Sequence, residues 1–94
     1  MLLRNVYDTN DGQFLAEGEL SIMKDSHGWR IVINSPDGDI WRVSTHLVGC
    51  QVLARDPESF MLCTSSGNRY LCSAANMSGA EAARRICKSI RFIW

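Results

Sequence analysis

The sequence predicts a mainly β domain of about seven antiparallel strands with one C-terminal α-helix. Short apolar runs with period-two stretches fill the chain to residue 74, clusters of turn-forming residues separate them, and the apolar period changes to three or four after Ser78. Consecutive strands joined by tight turns pair as antiparallel meanders, and a final helix must bury its apolar stripe. We therefore expect a split barrel or sandwich whose open mouth the helix covers.

The length and composition indicate a single globular domain over residues 1–94. The chain has 94 residues, of which 46% are hydrophobic and 21% charged. Ten basic residues balance ten acidic ones. This neutral balance gives no electrostatic case for nucleic acid as a partner.

The strands are predicted between recognisable turns. Gly18 and Gly49 lie inside two of the predicted strands, where we expect a bulge or a bend. Trp29 and Trp41 flank the SPDGD turn and are expected to pack in the core or against each other across two strands. The predicted strands cover residues 2–7, 14–23, 29–34, 40–44, 47–54, 60–64 and 69–74.

The final segment predicts an amphipathic helix that begins after Ser78. Ser78 and Glu81 match a capping box, in which the serine side chain accepts from the backbone near Glu81 and the glutamate reaches back. An apolar face follows at spacings of three and four, formed by Ala82, Ala83, Ile86, Ile90 and Ile93. The other face is mostly basic, with Arg84, Arg85, Lys88 and Arg91.

The element order and the first hairpin resemble EVH1 (WH1) domains, which have the pleckstrin-homology-like (PH-like) split barrel. The stretch VYDTNDGQF places Tyr7 and Phe14 seven residues apart, as the family places a tyrosine and a tryptophan. Phe60, then Tyr70, then the closing helix follow in the family's order. The resemblance implies a shallow aromatic groove that binds an extended peptide, a proline-rich one included. It implies that Tyr7, Phe14 and Phe60 line this groove, with Thr64 near the position of a family basic residue.

The expected groove differs from that of the EVH1 family at two residues, and its rings also have a competing interpretation. Phe14 stacks as tryptophan does but cannot donate a hydrogen bond, and Thr64 carries no charge. Packing in the core is the competing interpretation for each of the three rings, because large rings fill space in small β domains.

Two other functions stay open beside the peptide groove. The basic helix face suggests a module that binds phosphoinositide headgroups, although the first two hairpin loops together supply only Lys24. The second alternative function is that of a small scaffold subunit that docks on a larger protein.

Residue patterns for catalysis, cofactors and metals are missing from the sequence, so we expect a non-enzymatic protein with no cofactor and no metal. The four cysteines form no C-x-x-C pair, and no apolar run is long enough for a signal peptide or a transmembrane helix. We therefore expect a cytosolic or nuclear protein with reduced thiols and a protein or peptide partner. The cysteines are Cys50, Cys63, Cys72 and Cys87.

Overall fold

A computed structural model describes residues 1–15, 17–35 and 42–93. Its strands are β1 (Leu2–Asp8), β2 (Phe14–Leu15), β3 (Gly18–Asp25), β4 (Gly28–Asn34), β5 (Arg42–His46), β6 (Gln51–Ala54), β7 (Ser59–Cys63) and β8 (Arg69–Ala74), and its helix is α1 (Gly79–Ile93). Most of the predicted SPDGD turn, together with Trp41 and Trp94, lies outside the described residues.

The sheet is antiparallel throughout and confirms the predicted class. Its strands lie in the order β5-β4-β3-β1-β8-β7-β6, and the two-residue β2 pairs with β1. Strand β1 thus joins the β3–β5 half to the β6–β8 half. The seven-strand order with a closing helix is consistent with the predicted split barrel.

Strands β2 and β3 form the predicted strand 14–23 with an interruption before Gly18. Val6 pairs with Leu15 on one side of the interruption, and Leu3 pairs with Gly18 on the other. Because both pairs have the same register, neither chain segment has an extra residue between them. The bulge expected at Gly18 is therefore absent from the pairing with β1. The irregularity lies instead in β1, where Arg4 is an extra residue against β8. This residue changes the phase of β1, so that Leu3 and Val6, three positions apart, are both buried.

Strand β6 begins later than the sequence predicts. The prediction covered residues 47–54, whereas the strand starts at Gln51. A turn occupies the preceding residues, in which the Cys50 amide donates to the Leu47 carbonyl at 3.2 Å. Gly49 has φ +83°, a left-handed conformation that glycine adopts readily, so it forms the turn rather than bending a strand.

The helix begins where the capping residue predicts. The Glu81 amide donates to Ser78 Oγ at 3.2 Å, and the Glu81 carboxylate pairs with Arg84 and Arg85 instead of reaching back. Gly79 lies against the backbone of β7, where a Cβ atom would come within 2.7 Å of the Ser59 nitrogen. A glycine at this position therefore lets the helix pack closely on the sheet.

Both halves of the sheet contribute to one buried apolar cluster. The helix packs against β6, β7 and β8 and adds its small and branched side chains from the inner face. The cluster includes Leu3, Val6, Leu20, Ile31, Ile33, Val43, Val52, Phe60, Leu62, Cys72, Ala82, Ala83 and Ile86. The opposite, outer face of the β1–β8–β7–β6 half carries no described helix.

Candidate functional site

A row of apolar side chains crosses the outer face of the sheet. Opposed residues on neighbouring antiparallel strands lie on the same face, about 5 Å apart. Tyr7 opposes both Phe14 and Leu71, and Leu71 in turn opposes Met61. Met61 opposes Leu53. We call these five residues the apolar row: Phe14, Tyr7, Leu71, Met61 and Leu53.

The apolar row is open to solvent. Phe14 is 61% exposed, Leu53 54% and Tyr7 39%, and the two central members, Leu71 and Met61, are half-buried. Isolated exposed apolar residues are ordinary on a protein surface, but contiguous ones mark binding surfaces more often. The alignment of these five on consecutive strands therefore makes the row the candidate site.

Polar side chains follow the row on both sides. One flank consists of Gln51, Cys63 and Arg69, which oppose one another on β6, β7 and β8. The other flank includes Asn5 and Ser73, which are opposed on β1 and β8. The amide, guanidinium and hydroxyl groups of these flanks supply hydrogen-bond donors, which the Phe14 ring lacks.

The loop between β1 and β2 is held in place by hydrogen bonds. The Gly12 amide donates to the Asp8 carbonyl at 2.8 Å, and the Asp8 amide donates to the Gln13 carbonyl at 2.8 Å. Asn10 Nδ2 donates to Asn68 Oδ1 at 2.6 Å, which ties this loop to the β7–β8 loop. The aromatic pair at the end of the row is therefore presented by a braced hairpin, which lowers the entropic cost of ligand binding.

Phe60 does not belong to this surface. It is completely buried and faces inward, because it opposes Cys72 on β8, and Cys72 opposes the buried Val6. The prediction that Phe60 lines a groove with Tyr7 and Phe14 is therefore wrong, because Phe60 packs in the core. The outward position on β7 belongs to the next residue, Met61.

Thr64 is also a structural residue. Its side chain is nearly buried, and its Oγ1 lies 2.9 Å from Ser66 Oγ and accepts from the Asn68 amide at 3.1 Å. These bonds close the β7–β8 loop. The predicted role of Thr64 in contacting a peptide is therefore not supported by its position.

The cysteine thiols differ in environment. Burial raises the pKa of Cys72 to about 12 and also raises the pKa of Cys50, because a thiolate loses hydration in an apolar surrounding. Such thiols are poor nucleophiles and poor metal ligands. Within the described ranges, no group of three or more His, Cys, Asp or Glu side chains could hold a metal ion.

Comparisons with other proteins identify no relative. No protein-family model, curated protein or solved structure matches the chain. The site must therefore be interpreted from its own geometry.

A separate finding concerns membranes: α1 is not long and apolar enough to cross a bilayer, nor is any other helix among the described residues.

Proposed function

We propose that this chain is a non-enzymatic protein-interaction domain whose apolar row binds an extended peptide. The observation that carries the proposal is a row of five opposed apolar side chains between two polar flanks, three of them exposed and two half-buried. The shared spacing of Tyr7 and Phe14 with the EVH1 first hairpin supports a peptide ligand. A cytosolic location, which would keep the four thiols reduced, is part of the same proposal.

The size of the row suits a short segment of polyproline II helix. Five strands contribute to it, so it spans four interstrand spacings of about 4.8 Å, or roughly 19 Å. A polyproline II segment rises about 3.1 Å per residue, so about six ligand residues would cover the row. Such a segment is already extended and loses little entropy on binding, which suits a shallow surface.

The chemistry of the row and its flanks matches such a ligand. The rings of Tyr7 and Phe14 provide flat faces for pyrrolidine rings, and Leu71, Met61 and Leu53 extend the apolar surface. Proline has no N–H to donate, so a proline-rich ligand offers mainly carbonyl acceptors. Donors such as Arg69 and Gln51 would bind those carbonyls beside the row.

The test is a titration with a proline-rich peptide of about ten residues, followed through backbone amide shifts. We expect shifts on β1, β8 and β7, and none with a control peptide in which alanine replaces every proline. Tyr7→Ala should lower the affinity at least about tenfold and leave a cooperative melt, because a cross-strand pair contributes only about 0.2–1 kcal/mol.

A matched control separates loss of the site from general loss of apolar surface. Val48 is 63% exposed and lies in the turn before β6, and it is not a member of the row, so Val48→Ala should keep wild-type affinity. Equal loss in both variants, or full affinity in Tyr7→Ala, would contradict the proposal. Binding to phosphoinositide vesicles without peptide binding would favour the lipid-headgroup alternative instead.

A further inference from the structure

A groove lies on the opposite side of the molecule from the apolar row, between α1 and the β3–β4 hairpin. The helix packs on β6, β7 and β8, and among the described residues the groove lies where its other flank faces β3 and β4. The groove has a volume of about 750 Å³, within the range of small-molecule sites in proteins. It is lined by Met1, Leu20, Ser21, Ile22, Trp29, Arg85, Ile86, Lys88 and Ser89.

The floor of the groove is apolar. Leu20 and Ile86 are buried members of the core cluster, and Ile22 is half-buried against it. Trp29 is 37% exposed and adds a broad ring surface. A ligand with a hydrocarbon chain would therefore remove apolar surface from water on both sides of the contact.

The rim of the groove is cationic. Arg85 and Lys88 lie on the helix side of the groove. Glu81 accepts from Arg85 Nε at 3.0 Å and also pairs with Arg84. Within the described residues no carboxylate lies within 4 Å of the Lys88 ammonium. The rim is thus complementary to an anionic group.

We propose that this groove binds a single-chain anionic amphiphile, with its hydrocarbon chain on the apolar floor and its anionic head between Arg85 and Lys88. Two features favour this occupant. The apolar floor and the cationic rim divide the groove into a part for a chain and a part for a charged head. The groove's volume is that of a small-molecule site, whereas a protein partner normally covers a much larger surface.

The test uses sodium dodecanoate below its micelle concentration, with binding measured by calorimetry and by methionine ¹³C-methyl shifts. Met1 lines the groove, whereas Met61 lies in the apolar row, so dodecanoate should shift the Met1 methyl signal and leave that of Met61 unchanged. Dodecanol should bind about tenfold more weakly, because it lacks the anionic head. Butyrate should not bind measurably, because it lacks the chain.

Three variants complete the test. Lys88→Gln should weaken dodecanoate binding about three- to fivefold, as expected for one partly exposed charge. Arg55→Gln is the control: it removes an exposed cation from the turn after β6, outside the groove, and should leave the affinity unchanged. Ser89→Trp should block the groove without unfolding the domain, because Ser89 is an exposed helical position.

Four results would overturn this proposal. They are equal binding of dodecanol and dodecanoate, equal weakening by Lys88→Gln and Arg55→Gln, no dodecanoate binding at millimolar concentration, or binding of only an acidic amphipathic peptide. None of these results concerns the apolar row, so the proposed peptide function stands or falls separately.

Discussion

Phe60 and Met61 are adjacent in β7 but lie on opposite faces of the sheet, which predicts opposite consequences for their replacement by alanine. Phe60 is completely buried in the core cluster, and removing such a ring costs about 3–5 kcal/mol of unfolding free energy. A domain of this length has a total of roughly 5–14 kcal/mol. Met61 is half-buried on the outer face, so Met61→Ala should cost less than about 1 kcal/mol.

Urea denaturation followed by far-UV circular dichroism measures this difference. With an m-value of about 1.5 kcal/mol per M, Phe60→Ala should lower the midpoint by roughly 2–3 M and Met61→Ala by less than about 0.7 M. If Phe60→Ala does not fold, Phe60→Leu removes less side-chain volume, so it should cost less than Phe60→Ala and remain measurable. In the peptide titration the order reverses: Met61→Ala should weaken binding, and Phe60→Leu should not. Similar midpoints for the Phe60 and Met61 variants would refute the assigned faces of β7.

Three further predictions concern the helix contact, a turn and a thiol. Gly79→Ala should destabilise the domain by about 1–3 kcal/mol in the same assay, because its Cβ would overlap the Ser59 backbone. Hydrogen bonds from backbone amides hold the pKa of the Asp56 carboxyl below its ordinary value. The stability that these bonds contribute is present above pH ~4 and should be lost as the pH falls through the folded-state pKa. In Asp56→Asn, the fall of the urea midpoint with decreasing pH should therefore be smaller. In the native state at pH 8, iodoacetamide should modify Cys72 at least about a hundredfold more slowly than Cys63, because the Cys72 thiol is buried and its pKa is raised. In urea the two rates should be similar. Peptide mass mapping measures both.

The sequence predicted the elements of the fold better than their boundaries. Turn clusters and the change of period at Ser78 identified the strands and the helix start, since both are local signals. The start of β6 was missed because LVGCQVLA is mostly apolar, and only hydrogen bonding to β7 distinguishes its turn from its strand. The phase change in β1 was missed for a related reason: it depends on the extra residue Arg4 opposite β8.

The candidate site was predicted in part. Tyr7 and Phe14 were predicted from the resemblance of the first hairpin to that of EVH1 domains, and the structure places them opposite each other on β1 and β2 and exposed. The third ring was misassigned because FMLC in β7 has no alternation that would show which residues face outward. Leu71 and Leu53 give no signal of their own. They enter the site only through pairing of strands that are distant in sequence, which one-dimensional patterns do not contain.

A methionine ¹³C-methyl spectrum tests the central claim most directly, because each of the four methionines lies in a different environment. Met61 is in the apolar row, Met1 lines the groove, Met23 is exposed on β3, and Met77 packs against the core. If the apolar row binds a proline-rich peptide, the Met61 signal shifts with peptide concentration and the other three stay in place. A titration that shifts Met1 or Met23 and leaves Met61 unmoved would contradict the claim.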